Sequence, residues 1–142
     1  MDLYQQLIIE HSKRPHGEGL REPFAAQAHQ VNPTCGDEIT LRVALDGEMV
    51  QDVSYDALGC SISRASASVL HDLVVGSSLD DVATVRNAVQ HLLTSRGEDE
   101  GDEEVLGDAI AFAGVARYPA RVKCALLSWS ALADALLRAP TT

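Results

Sequence analysis

The hydrophobic residues of this 142-residue chain follow two different periods. Over 39–45, apolar side chains occupy every second position, which is typical of a strand with one buried face. Asp46-Gly47 follows and favours a two-residue hairpin turn. A returning strand is expected over 53–57, and a weaker strand-like pattern covers 26–32. These patterns predict an antiparallel three-stranded sheet.

Elsewhere, apolar residues recur every three or four positions, which predicts amphipathic helices. Asp2 is expected to cap the first helix, Ser78 to cap a later one and Pro119 to open the last. The expected buried faces are Leu3, Tyr4, Leu7 and Ile8; Ile62, Ala65, Val69 and Leu73; Leu79, Val82, Val85, Val89 and Leu92; and Val122, Leu126, Trp129, Leu132 and Leu136. Because the strands come first and the helices cluster later, the predicted fold class is α+β. We expect one domain over 1–142, with helices packed on one side of the sheet.

The charge of the chain is strongly negative and unevenly distributed. The formal net charge is -10, and the segment 97–104 holds six of the acids. We expect no nucleic-acid partner, because phosphate binding needs a basic surface. No apolar run approaches the ~20 residues of a membrane span and no secretory signal opens the chain, so we expect a cytoplasmic protein without membrane association. We interpret the acidic run as a solvated loop, with a docking surface for a basic partner as the alternative.

The three cysteines all lie where the predicted secondary structure changes. Cys35 stands in the turn Asn32-Pro33-Thr34-Cys35-Gly36-Asp37, Cys60 precedes a helix, and Cys124 falls early in the last helix. An odd number of cysteines cannot all pair within one chain, and a reducing compartment disfavours any pairing. Buried apolar residues, reactive thiols and metal ligands remain as interpretations. Helix N-termini stabilise thiolates, which favours the last two for Cys60 and Cys124.

A single zinc ion would use these thiols together. Thiolates are ligands that zinc prefers, and Asp37 is the natural fourth donor beside Cys35, Cys60 and Cys124. Three thiolates and a carboxylate outweigh the charge of the ion, so Arg121, Lys123 and Arg64 are expected to compensate for it. Spacing alone is weak support, because it matches no compact zinc-finger pattern. The five histidines, His11, His16, His29, His71 and His91, are interpreted as surface or hydrogen-bonded residues.

Three motifs in this chain resemble those of the IscU-like family of iron–sulfur cluster assembly proteins, and specifically its SufU branch. They are Asn32-Pro33-Thr34-Cys35-Gly36-Asp37, Gly59-Cys60-Ser61-Ile62-Ser63 and Arg121-Val122-Lys123-Cys124-Ala125. The N-terminal segment, with Leu3-Tyr4 and His11-Ser12-Lys13-Arg14-Pro15, is similar as well. Scaffold-type members carry a histidine where this chain has Lys123, and SufU-type members carry an insertion before the third cysteine. The helical and acidic segment at about 77–105 looks like that insertion.

The resemblance implies a zinc-dependent sulfurtransferase. Zinc would be held by Cys35, Asp37, Cys60 and Cys124. Cys35 would be the catalytic residue, leaving the metal to take sulfur from the persulfide of a SufS-type, PLP-dependent cysteine desulfurase when a histidine of that enzyme replaces it. Downstream SUF scaffold components would follow as partners.

Two alternatives to this function stay open. One is a scaffold that assembles a transient [2Fe–2S] cluster on the same three cysteines and Asp37. The other is a binding module with a structural zinc, which would keep all four ligands throughout.

Overall fold

The computed structural model describes residues 3–140. Its elements, in chain order, are α1 (Leu3–Lys13), β1 (Ala26–Asn32), β2 (Asp37–Asp46), β3 (Met49–Leu58), α2 (Ser61–Val74), α3 (Leu79–Thr94), the short α4 (Glu103–Leu106), two 3-10 helices (Gly107–Ala113 and Val115–Arg117) and α5 (Pro119–Arg138). Within the described residues, no helix is long and apolar enough to cross a membrane.

The three strands form one antiparallel sheet in the order β1-β2-β3. The hairpin between β2 and β3 turns at Asp46-Gly47, with Gly47 at φ 61°. Alternate residues such as Leu41, Val43 and Tyr55 are buried beneath α5 and α2. The predicted α+β class, with an antiparallel sheet of three strands, is confirmed.

The last helix buries part of the predicted face, because Trp129 and Leu132 are fully covered. Val122, Leu126 and Leu136 are only half-buried. The fully covered face instead combines large and small residues, namely Cys124, Ala125, Leu127, Ser128, Trp129, Ala131, Leu132 and Ala135. The small residues let α5 approach α2 closely, and the Ser66 hydroxyl donates to the carbonyl of Ala125 at 2.5 Å. This close packing places Cys124 against the end of the sheet.

The first helix also differs from its prediction. Leu3 and Tyr4 are exposed, while the buried residues of α1 are His11 and Ser12 near its C-terminal end. Leu7 and Ile8 are half-buried, and Ile8 packs against the core, so the predicted apolar stripe is covered only in its later part. Asp2, the expected cap, lies outside the described residues.

The acidic segment is more ordered than a solvated loop would be. Ser78 caps α3 as predicted, accepting from the backbone N–H of Asp81 at 3.1 Å. Further on, Asp99 accepts from the N–H of Gly101 at 2.8 Å, and Asp102 caps α4. Some of the acids therefore fold their own segment, in addition to contributing charge. The assignment of 77–105 as an insertion stays a prediction.

The long connection between α1 and β1 runs along the free edge of β3. Arg21 donates two hydrogen bonds to the carboxylate of Asp52, at 2.8 and 3.1 Å, and a third to the carbonyl of Val53. The Arg21 guanidinium lowers the pKa of the Asp52 carboxyl, although partial burial opposes this shift. This ion pair ties the connection to the sheet.

Replacing Asp52 by asparagine should lower the free energy of unfolding at neutral pH by less than about 1 kcal/mol, because the pair is partly exposed. The folded-state pKa of Asp52 is depressed, so its contribution is present above the unfolded pKa of about 3.9 and is lost as pH falls through the folded value. Urea unfolding curves at neutral and acidic pH would measure this. Asp56→Asn, on the exposed side of β3, is the matched control. A stability difference for Asp52→Asn that does not change with pH would contradict the assignment.

Candidate metal centre

Four different elements deliver the predicted ligands to one end of the sheet. Cys35 lies in the turn between β1 and β2, and Asp37 is the first residue of β2. Cys60 is the N-cap of α2, while Cys124 lies in the second turn of α5. The turn before β2 contains Gly36 at φ 71°, a conformation that glycine adopts without strain. The chain thus returns to this end of the sheet three times.

The side chains of these four residues converge. The Sγ atoms of Cys35 and Cys124 are 3.2 Å apart, and the ligand atoms of Cys35, Asp37 and Cys124 all lie within 4.8 Å of one another. Cys60 stands at the edge of this group, with its Sγ 3.8 Å from Oδ2 of Asp37. The structure therefore groups three of the four residues that the sequence suggested and places the fourth, Cys60, beside Asp37.

Burial and a hydrogen bond hold the side chain of Asp37 in one orientation. Its side chain is fully buried, and Oδ1 accepts from the backbone N–H of Cys60 at 2.9 Å. That bond uses one carboxylate oxygen and leaves Oδ2 beside the Cys60 thiol. Gly59 makes the arrangement possible, because it has φ 147° and a Cβ at this position would lie 2.1 Å from Oδ1 of Asp37.

The three thiols differ in their access to solvent. Cys35 and Cys60 are exposed, whereas Cys124 is 2% exposed. Burial raises the pKa of the Cys124 thiol, and hydrogen bonding with Asp37, Cys35 and Cys60 raises it further. A buried carboxylate surrounded by such thiols is a cluster of potential anions that a cation would stabilise. This donor set, with three sulfurs and one oxygen, fits Zn²⁺.

The three predicted charge-compensating residues lie around the centre without pairing with it. Lys123 and Arg121 are exposed on α5, and the Arg121 guanidinium lies 5.8 Å from the centroid of the Tyr118 ring. Arg64 is one turn into α2, where its backbone N–H donates to the carbonyl of Cys60. No ion pair joins any of them to a proposed ligand in the part of the chain that the structure describes. Their compensating role stays a prediction.

Sequence reasoning gave no role to two polar residues that border the centre. Asn32 is buried, and its amide Nδ2 lies 3.9 Å from Sγ of Cys124. The Ser63 hydroxyl donates to the carbonyl of Cys60 at 3.0 Å and lies 3.9 Å from its sulfur. The signal for Asn32 was available, since antiparallel pairing sets it directly opposite Asp37. Both residues restrict how the neighbouring thiol can turn.

Residues 3–125 match the profile of the NifU-like N-terminal domain. The chain belongs to this family. The protein named zinc-dependent sulfurtransferase SufU in Bacillus subtilis (strain 168) is 39% identical over 131 residues, covering 92% of this chain and 86% of the relative. The iron–sulfur cluster assembly scaffold protein IscU of Streptococcus pyogenes serotype M1 is 37% identical over 137 residues, covering 96% and 84%. The resemblance to a SufU-type, IscU-like protein is confirmed.

Solved structures of NifU-like proteins have the same fold. A protein described as an iron–sulfur cluster assembly scaffold for the SUF system, SufU from Fervidobacterium islandicum AW-1, superposes with a TM-score of 0.81 at 34% identity, covering 92% of this chain and 94% of the other. The N-terminal part of a nitrogen-fixing NifU-like protein from Brucella abortus gives a TM-score of 0.86 at 26% identity, with coverage of 96% and 93%. Iron–sulfur cluster assembly is therefore the process to which the family points.

Proposed function

We propose that this NifU-like chain is a zinc-dependent sulfurtransferase that takes persulfide sulfur from a SufS-type, PLP-dependent cysteine desulfurase. The observation that carries the proposal is the unequal placement of the thiols. Cys35 is exposed on a turn, while Cys124 and Asp37 are buried behind it. An outer thiol can reach the active site of a partner while the inner donors stay within the fold.

The zinc ligands of the proposal are Cys35, Asp37, Cys60 and Cys124. When bound, zinc would keep the thiols deprotonated and protected until the partner is engaged. The buried Asp37 and its bond to the N–H of Cys60 hold the inner half of the centre in place. Arg121 and Lys123 are exposed beside Cys124, where they can offset the negative charge of the ligands.

In the transfer step, the Cys35 thiolate attacks the outer sulfur of the persulfide on the desulfurase cysteine. A sulfur–sulfur bond forms to Cys35 as the original one breaks, and the desulfurase cysteine leaves as a thiolate. The proton on the outer sulfur, where present, travels with that sulfur. No net oxidation occurs, since one persulfide replaces another. The receiving partners would be downstream scaffold components of the SUF system.

A second candidate is a scaffold that assembles a [2Fe–2S] cluster on the same residues, which the Streptococcus pyogenes relative favours by its name. Lys123 argues against it, because an ammonium group is a poor metal ligand next to the third cysteine. The third candidate, a purely structural zinc, does not account for the exposure of Cys35.

Mass spectrometry of each cysteine after incubation with desulfurase and cysteine tests the proposal. We expect a persulfide on Cys35 and little on Cys60 or Cys124. Labelling of Cys60 or Cys124 with Cys35 unmodified would contradict the proposed acceptor. Absence of any persulfide would favour the structural zinc, and efficient transfer of a reconstituted cluster to an apo-protein would favour the scaffold.

A further inference from the structure

A second group of metal-binding side chains lies at the opposite end of α2 from the cysteines. It consists of His11 from the end of α1, His16 from the connection that follows and Asp72 from the last turn of α2. One ligand atom from each lies within 4.8 Å of the other two. Cys60 caps the start of α2, so the rise of ~1.5 Å per residue separates the two groups by roughly 17 Å.

His11 has a carboxylate partner on one ring nitrogen, as many metal-binding histidines do. It is 5% exposed, and its Nε2 lies 2.9 Å from Oδ2 of Asp108. In proteins, a metal-binding histidine commonly donates its second ring N–H to a carboxylate, which fixes the ring and increases its basicity. In the tautomer with the proton on Nε2, Nδ1 accepts from the Ser68 hydroxyl at 2.7 Å, and an ion bound to Nδ1 would replace this hydrogen bond.

His16 is held in place by two hydrogen bonds of its backbone, and its ring nitrogen Nδ1 faces Asp72. Its N–H donates to the hydroxyl of Ser68 at 2.8 Å, and its carbonyl accepts from the hydroxyl of Tyr55 at 2.7 Å. The rings of His11 and His16 lie 4.9 Å apart between centroids. These contacts keep both imidazoles together.

Asp72 completes the set from the surface of α2. Its Oδ2 lies 2.7 Å from Nδ1 of His16, and both side chains are about half exposed. Zinc bonds to nitrogen and oxygen of ~2.0–2.1 Å require this pair to widen by about 0.6 Å. Rotation of an exposed carboxylate supplies such a movement. The exposure also leaves room for water on the open side of an ion.

We propose that His11, His16 and Asp72 form a second divalent-metal site, separate from the cysteine centre. Two imidazoles and one carboxylate suit a first-row transition ion of the Zn²⁺ or Fe²⁺ class, and they lack the set of oxygen ligands that Ca²⁺ or Mg²⁺ requires. A bound ion would join the end of α1 and the connection after it to α2. The site is independent of the sulfur-transfer proposal.

Zinc and cobalt titrations of the full chain at neutral pH test the second site. We expect two equivalents of Zn²⁺ per chain. The ion at the His11, His16 and Asp72 site should be lost first on dialysis. Co²⁺ should give thiolate charge-transfer absorption at the cysteine centre and only weak ligand-field bands at the second site. His16→Ala and Asp72→Asn should each weaken the second step at least tenfold and leave the thiolate absorption unchanged. Anaerobic addition of Fe²⁺ to the zinc-loaded chain shows whether the second site prefers Fe²⁺ or Zn²⁺.

The matched control is His91→Ala. His91 also lies 2.7 Å from an aspartate oxygen, that of Asp99, but it belongs to no group of three potential ligands among the described residues. The His91→Ala variant should bind two equivalents of Zn²⁺, as the wild type does. Binding of a single equivalent by the wild type, or equal weakening by His16→Ala and His91→Ala, would show that the group is a hydrogen-bond network only. Thermal unfolding without metal checks that each variant is folded.

Discussion

Replacing Cys35 by alanine should abolish the stimulation of a cysteine desulfurase by this protein. The substitution removes the exposed thiol of the turn before β2, which is the sulfur acceptor in the proposed transfer step. Basal desulfurase turnover should persist, because that chemistry belongs to the partner. Sulfide or alanine production, measured with and without the variant, gives the result.

The Cys35→Ala experiment has a close control in the same turn. Thr34 is exposed beside Cys35, and Thr34→Ala keeps all four proposed ligands. We expect this variant to stimulate the desulfurase about as well as the wild type. If Cys35→Ala stimulates equally, another residue accepts the sulfur and the assignment of Cys35 is wrong. Because Cys35 lies at the surface, its loss should leave the fold intact, which circular dichroism would verify.

Replacing Gly59 by alanine should destroy the metal centre without touching a ligand. The new Cβ would lie 2.1 Å from Oδ1 of Asp37, and the φ of 147° is strained for any residue with a side chain. Either the carboxylate or the start of α2 must move, which breaks the bond from the Cys60 N–H. We expect the zinc held at the cysteine centre to fall from about one equivalent per chain to a small fraction, and stability to drop by about 2–4 kcal/mol. Metal analysis and urea unfolding measure the two effects.

Gly47→Ala separates backbone strain from the clash at Asp37. Gly47 has a positive φ of 61°, yet a Cβ there would meet nothing within 4 Å. The substitution should cost about 1–2 kcal/mol for the left-handed conformation and leave the zinc content unchanged. Normal zinc binding by Gly59→Ala would refute the proposed dependence of the centre on Asp37.

The sheet and its hairpin could be predicted from the sequence because their signals are local. Alternation over 39–45 sets the buried face of β2, and Asp46-Gly47 favours the turn that returns as β3. Ser78 marks a helix start through its side-chain hydroxyl, and Pro119 does so through its fixed φ. Each of these predictions depends on neighbours a few positions away.

The helix faces were harder to predict because burial depends on the surfaces that meet. Leu3 and Tyr4 at the start of α1 are exposed, whereas Ile8 one turn later packs against the core. On α5, small residues such as Ala125 and Ser128 are buried where larger Leu126 is half exposed. Hydrophobicity alone would predict that Leu126 is buried and that Ala125 and Ser128 are more exposed. Close approach of two helices favours the smaller side chain.

The sequence by itself indicated the family and the four proposed metal ligands, because each motif consists of residues that are adjacent in the chain. Only the tertiary structure decided how those ligands differ. It buried Cys124, left Cys35 exposed and bound one oxygen of Asp37 to the N–H of Cys60. It also brought His11 and His16 to Asp72 across more than fifty positions of the chain. Such contacts arise from packing between distant elements, for which a local pattern carries no signal.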